Sequence, residues 1–178
     1  MPNLTLAEIQ EQVGAWSRYN FPRNTPLEPM LGIIEEVGEL AHAILKTNQG
    51  IRGTAEEHVA EERDAIGDAG IFLCDFAGRI GHSLFIGVHP EHGHRGCEDS
   101  SIAFMFLSWS VGHLAFEFTN CGVPDGYYYC AKGANQVALR LAIYCETRGW
   151  DFLEILNETW SEASKRDWIR FPKNGLTE

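Results

Sequence analysis

Apolar residues recur every three or four positions along most of the chain, which is the spacing of one face of an α-helix. No segment shows the strict alternation of apolar and polar residues that marks a β-strand. The fold class predicted from this pattern is all-α, a bundle of about five to six helices. The predicted helices cover about 5–19, 27–46, 54–80, 102–118, 131–148 and 151–166.

Residues at the ends of these segments support the predicted boundaries. Pro22 and Pro26 exclude a regular helix after the first segment, and Pro29 suits the first turn of the second. Thr54 and Glu57 have the spacing of a capping box, so the third helix is expected to begin there.

The segment 87–130 combines a polar loop with an apolar helix. Residues 87–101 are rich in Gly and His and predict a long loop. The run "IAFMFLSWSVGHLAFEF" then resumes as a helix, with Asp99, Ser100 or Ser101 as its N-cap. This helix is so apolar that we expect it to be buried.

The loop also contains a candidate zinc site. His89, His92, His94 and Cys97 have a spacing that could encircle zinc. Structural zinc sites usually combine two ligand pairs, and no second pair lies elsewhere in the sequence. A polar loop without metal is therefore the favoured interpretation.

Composition narrows the class of protein. At 178 residues and 44% apolar content, the chain suits a single domain over 1–178. The net charge of -11 argues against nucleic acid or an anionic membrane as a partner. No signal sequence or long apolar run is visible, so a cytoplasmic location is expected. The five cysteines lack a CxxC pair and are expected to be reduced.

The stretch "LGIIEEVGELAHAI" places Glu35, Glu36 and Glu39 in an apolar, helix-forming run. On a helical wheel they lie opposite the apolar residues, as on an ordinary solvated face. The alternative is that these carboxylates are held together to bind a cation. The apolar residues on the other side are Leu31, Ile34, Val37, Leu40, Ala41 and Ile44.

The third helix favours the second interpretation, in which the carboxylates bind a cation. Glu61, Asp64, Asp68 and Asp75 form a stripe about 60° wide on a helix that is otherwise mostly apolar. Unpaired carboxylates in a buried stripe are strongly unfavourable, and residues 28–78 contain few basic side chains to compensate them. Oxygen donors on two adjacent helices suit Mg²⁺, with Mn²⁺ as a substitute, and Mg²⁺ suggests phosphates.

A di-iron site is the rival interpretation, because Glu39 and His42 form the ExxH motif of carboxylate-bridged di-iron bundles. Such a site needs the motif twice. No other histidine on a predicted helix has a glutamate three residues before it. His42 is therefore interpreted as a surface residue or as one that supports a ligand.

The acidic segments resemble the signature of the MazG-like, all-α nucleoside triphosphate pyrophosphohydrolases, which is ExxE on one helix and ExxD on the next. Here "EEVGEL" supplies Glu36 and Glu39, and "EERDAIGDAGIFL" supplies the second acidic pair. The flanking segments "WSRYNFP" and "NETWSEASKRDWIRFPKNG" are similar to those of shorter members. The resemblance covers residues 9–82 and 136–175, whereas 87–130 has no counterpart and is treated as an insert.

The sequence departs from this signature at one point. The ExxD pair is either Glu61 with Asp64 or, anchored on "IGD", Asp68 with Ala65 where a glutamate is expected. We favour the "IGD" anchor because the apolar run follows it directly. Asp64, one turn earlier, then replaces the missing carboxylate.

The resemblance implies hydrolysis of a nucleoside triphosphate, the expected partner, between its α- and β-phosphates to give the monophosphate and pyrophosphate. Glu35 is a catalytic candidate beside Glu36, because it could orient or deprotonate the attacking water. The implied ligands of two or more Mg²⁺ ions are Glu36, Glu39, Asp64 and Asp68, with Glu61 as a further candidate.

Candidate substrate-binding residues lie at both ends of the chain. Lys165 and Arg166 either bind phosphate or complement the dipole of the last helix. Trp16 either stacks on a base or packs in the core, and Asn157 either contacts a base edge or is simply exposed.

Two other functions stay open beside the pyrophosphohydrolase. One is a catalytically silent helical interaction module, which Ala65 suggests. The other is a phosphohydrolase that releases orthophosphate. The protein is expected to form a homodimer or higher homo-oligomer.

Overall fold

The computed structural model describes residues 3–87, 99–120 and 126–176, and every regular element in these ranges is a helix. The prediction of an all-α fold with five to six helices is therefore confirmed. The helices are α1 (Leu6–Asn20), α2 (Leu27–Gln49), α3 (Ala55–Arg79), α4 (Ser100–Thr119), α5 (Gly126–Thr147) and α6 (Phe152–Ala163).

Capping side chains explain where several helices begin. The predicted capping box of α3 is present, because the Thr54 hydroxyl accepts from the Glu57 N–H and the Glu57 carboxylate accepts from the Thr54 N–H. Asp99 caps α4, and Asp151 caps α6. At the other end of α2, Gly50 has a φ of 63°, in the left-handed region that favours glycine.

Two boundaries differ from the prediction. α5 begins at Gly126 rather than near residue 131, because three exposed tyrosines continue the helix toward its N-terminus. α6 ends at Ala163 rather than near residue 166, and the chain then forms a series of turns.

α3 lies at the centre of the bundle. It contacts α1, α2, α5 and α6, whereas α4 packs mainly along α5. Small residues allow close approach, since a side chain at Gly67 would collide with Thr159 of α6, and one at Gly32 of α2 would meet the ring of Phe72. All six helices contribute to one cluster of buried apolar residues. The side chains of α3 therefore have neighbouring helices on several sides.

The expectation that α4 is buried is wrong. Its inner face, which includes Ala103, Leu107 and Leu114, packs in the core, but Met105 and Trp109 are 66% and 61% exposed. The helix is apolar on every side, and among the described residues it packs mainly on α5, with smaller contacts from α2 and from Phe76 of α3. The prediction of burial was therefore wrong because it used the average hydropathy of the helix and not its neighbours.

The length and composition of α4 also meet the criteria for a membrane span, which no other helix in the described part of the chain does. Of the residues concerned, 28% are buried in the bundle. A core helix of a soluble protein passes the same test. The absence of a membrane partner and the cytoplasmic location stay predictions.

Candidate functional site

The acidic residues of α2 and α3 meet where these two helices pack side by side. Gly32 and Phe72 bring the helices into close contact, one turn away from Glu36 and Asp68 respectively. Glu36 is only 9% exposed, and Asp68 is half-buried. Both carboxylates therefore lie at the interface of the two helices rather than on an open surface.

Electrostatic interactions show that five carboxylates lie close together. Burial first, and then the negative charges of Asp68, Glu39, Glu35 and Asp64, raise the pKa of Glu36 to about 8. We refer to these five residues as the acidic cluster. In the ranges that the structure describes, none of their side chains has a hydrogen-bond or ion-pair partner.

The charge of one arginine acts on Asp68. Burial and the charge of Asp64 raise the pKa of Asp68 to about 6, while the guanidinium of Arg166 acts in the opposite direction. One arginine does not neutralise five carboxylates. The acidic cluster therefore keeps an excess of negative charge.

The position of Glu36 corrects the helical-wheel picture of α2. Glu36 shares the buried face with Ile33 and Leu40, whereas Leu31 and Ile34 are 56% and 45% exposed. The cause is that α3 covers the line of positions that contains Glu36, and burial follows the neighbouring helix rather than the centre of the apolar stripe. A solvated face is therefore the wrong interpretation for this glutamate and the right one for the exposed glutamates beside it.

Two other acids of the predicted stripe on α3 have ordinary partners. The Glu61 carboxylate lies 3.1 Å from Nδ1 of His58. Asp75 accepts hydrogen bonds from Arg79 Nε at 2.9 Å and from Ser17 Oγ at 2.8 Å. Asp75 therefore does not belong to the unpaired carboxylates, and Glu61 lies outside the acidic cluster.

One buried acid was not anticipated from the sequence. Glu62 is 2% exposed, and its carboxylate accepts from the Tyr144 hydroxyl at 2.9 Å and lies 3.0 Å from Nε of Arg148. Burial and the charge of Glu62 raise the pKa of Tyr144 above its usual range, so the hydroxyl stays a donor. A signal was present, since Glu62 shares a helix face with the apolar residues Ile66 and Leu73.

A cleft of about 350 Å³ opens between α3 and α6, next to the acidic cluster. Asp64 and Asp68 line one wall, and Arg166 lines the other. A salt bridge of 2.7 Å between Arg63 and Glu158 joins the two helices beside it. The cleft thus presents carboxylates that can hold a cation opposite a guanidinium that can hold an anion.

Two of the predicted substrate-binding side chains have partners within the fold. Nε1 of Trp16 donates to the backbone oxygen of Arg166 at 2.9 Å, and its ring packs edge-to-face on Trp160. The Asn157 amide accepts from the Leu4 N–H at 2.8 Å and donates to the Leu4 carbonyl at 3.0 Å. These contacts support the core-packing interpretation of the tryptophan and give the asparagine a structural role.

The two basic candidates near the end of α6 differ from each other. Nζ of Lys165 lies 2.7 Å from the Glu162 carboxylate, and both side chains are largely exposed. Arg166 is the one whose charge reaches Asp68, and its guanidinium also lies over the ring of Trp168. Of the two, the structure brings only Arg166 toward the acidic cluster.

The donor chemistry of the acidic cluster fits a hard divalent cation. Carboxylate oxygens are the ligands that Mg²⁺ and Mn²⁺ prefer. No three Asp, Glu, His or Cys side chains among the described residues are already arranged to hold a metal ion. The candidate donors are the buried carboxylate of Glu36, the half-buried one of Asp68 and the exposed ones of Glu39 and Asp64.

The structure gives no new support to the other two metal sites considered from the sequence, the di-iron site and the zinc site. His42, the histidine of the ExxH motif, is exposed. The four residues of the candidate zinc site, within 89–97, lie outside the described residues. Cys74, Cys130 and Cys145 are buried, while the other two cysteines lie outside the described ranges.

The fold and the acidic cluster define an all-α protein with a carboxylate-rich site between two helices. No family model matches the chain, and neither a curated protein nor a solved structure matches it. The argument for function therefore rests on the geometry of the cluster and on the motifs that form it.

Proposed function

We propose that the protein is a Mg²⁺-dependent nucleoside triphosphate pyrophosphohydrolase of the nucleotide pool, which converts an NTP or dNTP to the monophosphate and pyrophosphate. One observation carries this proposal: Glu36 and Asp68 lie partly buried among like charges, and within the described ranges neither has a hydrogen-bond or ion-pair partner. Such an arrangement is unfavourable unless a bound cation compensates it. The two residues belong to "EEVGEL" and "IGD", on which the resemblance to the MazG-like enzymes rests.

The acidic cluster supplies both the ligands and the base in this proposal. Glu36, Glu39, Asp64 and Asp68 hold Mg²⁺, which neutralises the triphosphate and acidifies a water molecule. Glu35 is exposed next to Glu36, and it orients the attacking water or accepts its proton.

The cleft between α3 and α6 is the proposed place of the triphosphate. Its volume of about 350 Å³ lies in the range of small-ligand sites. Arg166 donates to phosphate oxygens, which it can do in a bidentate manner. The carboxylates of Glu158 and Glu162 also line the cleft, and they repel a triphosphate that carries no metal. Substrate binding should therefore depend on Mg²⁺.

Two alternatives start from the same residues. A phosphohydrolase that releases orthophosphate would use the same ligands and break a different bond. A silent interaction module is favoured by Ala65, which stands where the MazG-like signature has a glutamate and is 2% exposed. A buried methyl group at that position cannot bind metal.

A nucleotide panel tests the proposal. The wild-type protein is incubated with the NTPs and dNTPs in the presence of Mg²⁺, and the products are separated. We expect monophosphate and pyrophosphate, and a loss of activity of at least about 100-fold in Asp68→Asn and Glu39→Gln. Glu158→Gln, at an exposed carboxylate of the same cleft, is the matched control and should stay active. Orthophosphate as the product, or no turnover of any nucleotide, would contradict the proposal.

The exposed side of α2 supports the predicted homo-oligomer. Leu27, Leu31, Ile34 and Leu45 are each about half exposed. The first three are four and three residues apart, as in a coiled-coil seam, and Leu45 continues the same register after Gly38 and Ala41. We propose that this seam pairs with that of a second copy. Leu31→Lys should shift the protein to a monomer in sedimentation experiments, whereas Ile169→Lys, outside α2, should not. A wild-type protein that is monomeric at every concentration tested would contradict this.

A further inference from the structure

A second, larger groove lies between α4, which belongs to the insert 87–130, and α5, most of which lies after it. Its volume is about 740 Å³. Phe106, Trp109 and Tyr129 form its aromatic walls, and all three are about half exposed. None of the residues that line it belongs to the acidic cluster or to the cleft between α3 and α6.

The charge of this groove is opposite to that of the whole chain. His113, Lys132 and Arg140 line it, and no Asp or Glu does so among the described residues. The chain as a whole has 25 acidic residues against 14 lysines and arginines. The nearest acid to the histidine is Glu117, 3.6 Å away, which does not line the groove. A cationic groove in an acidic protein selects for an anion.

Arg140 has an unused hydrogen-bond donor. Its Nε is buried and has no hydrogen-bond partner in the described part of the chain. Its guanidinium lies 5.0 Å from the centre of the Phe106 ring and lines the groove, and no described residue forms a hydrogen bond or ion pair with it. A guanidinium without an acidic partner can bind an anionic group through its outer N–H groups.

We infer that this groove binds a small aromatic anion, a planar ring that carries a carboxylate, sulfonate or phosphate. The ring stacks against Trp109 and Tyr129, because half-exposed aromatic walls favour a planar apolar body. The anionic group accepts hydrogen bonds from Arg140 and Lys132. This site does not depend on the proposed pyrophosphohydrolase activity.

Two fluorescent dyes of the same shape test the inference. Anilinonaphthalene sulfonate has the required ring and charge, and N-phenylnaphthylamine has the ring without the charge. We expect Arg140→Met to weaken binding of the sulfonate about tenfold and that of the neutral dye less than about twofold. Lys132→Met, at an exposed residue of the same wall, should weaken only the sulfonate and to a smaller extent.

Tryptophan fluorescence locates the bound dye. Trp109 is the one tryptophan of the groove, so Trp109→Ser should remove most energy transfer to the bound sulfonate and weaken both dyes. Phe116→Ser is the matched control, because Phe116 is 64% exposed on the same helix and does not line the groove. Displacement by adenosine monophosphate indicates a phosphate ligand, and displacement by indole acetate indicates a carboxylate.

Four results would overturn the inference. The first is equal loss of both dyes in Arg140→Met, or no loss of either. The second is an equal effect of Trp109→Ser and Phe116→Ser, which would mean that the dye binds along all of α4. The third is displacement by neither anion. The fourth is sedimentation of the protein with phosphatidylcholine and phosphatidylglycerol vesicles, which would assign the groove to a lipid surface.

Discussion

The buried carboxylates toward the two ends of α3 have arginine partners, whereas the carboxylate in its middle faces other carboxylates. Toward the N-terminal end Glu62 pairs with Arg148, and toward the C-terminal end Asp75 pairs with Arg79. Between them Asp68 faces the other carboxylates of the acidic cluster. The same residue types on one helix thus have either a complete set of partners or almost none.

This difference separates structural charges from charges available for binding. A buried carboxylate with an arginine and a hydroxyl beside it connects helices and has little capacity left for a ligand. A buried carboxylate among like charges destabilises the fold, and groups of this kind concentrate at functional sites. The following predictions test this separation.

Removing the partner of Asp75 should have the largest effect on stability. Arg79→Met leaves a buried charge without compensation, because the two side chains are only 9% and 10% exposed. We expect the free energy of unfolding in urea to fall by about 3–5 kcal/mol. The double variant Asp75→Asn, Arg79→Met should recover the part of the loss that comes from the unpaired charge, but not the hydrogen bonds that Arg79 donates to the Asn24 carbonyl and to Ser17 Oγ. A loss below about 1 kcal/mol in the single variant would show that the pair is not structural.

Removing one hydrogen bond from the network around Glu62 should lower the free energy of unfolding by a smaller amount. Tyr144→Phe deletes a donor to a buried carboxylate, so we expect a decrease of about 1.5–3 kcal/mol in the free energy of unfolding. Tyr19→Phe, at a residue that is 53% exposed, is the control and should be neutral. Equal effects of the two substitutions would show that the hydrogen bond to Glu62 does not stabilise the fold.

Neutralising Glu36 should stabilise the metal-free protein. The pKa of Glu36 in the folded chain is about 8, above the usual glutamate value of 4.5. As pH rises between these values, the unfolded chain loses this proton first, and the free energy of unfolding falls. Glu36→Gln removes that fall and should raise the free energy of unfolding at the alkaline end by about 0.5–2 kcal/mol.

Urea unfolding with a chelator at several pH values measures this change. Asp68 contributes a similar fall between 3.8 and about 6, which the variant keeps. Glu11→Gln, at an exposed glutamate of α1 outside the acidic cluster, is the control and should follow the wild-type profile. Parallel profiles for the wild type and Glu36→Gln would contradict the placement of this carboxylate among like charges.

The salt bridge between Arg63 and Glu158, beside the cleft, should contribute least to the free energy of unfolding. Arg63 and Glu158 lie 2.7 Å apart, but their side chains are 30% and 59% exposed. Water and salt screen such a pair, so Arg63→Gln should cost less than about 1 kcal/mol. The same unfolding experiment in high salt should make the difference smaller. A cost as large as that of Arg79→Met would show that exposure does not separate the two kinds of pair.

Periodicity predicted the helices well because local spacing and capping decide them. The capping box of Thr54 and Glu57 is an interaction within one turn, and it is present as predicted. Burial was harder to predict, because it depends on which helix lies opposite. Leu31 and Trp109 looked like core residues on their own helices and are exposed, since no described element covers them.

The candidate site was predictable only as a set of acids. The sequence placed Glu36 and Asp68 on neighbouring helices, and the structure places both at the contact between them. It did not separate Asp75 from the unpaired acids, because the range 28–78 in which basic residues were counted ends just before Arg79, and the Ser17 hydroxyl comes from α1. Partners from distant segments are invisible to helical periodicity.

Binding of Mn²⁺ measured by electron paramagnetic resonance tests the central claim most directly, that the acidic cluster holds a divalent cation. The account predicts binding to the wild type that strengthens with rising pH, because Glu36 must lose its proton. Asp68→Asn should weaken binding at least about tenfold, while Glu158→Gln should leave it unchanged. A wild-type protein that binds no Mn²⁺, or equal losses in the two variants, would contradict it.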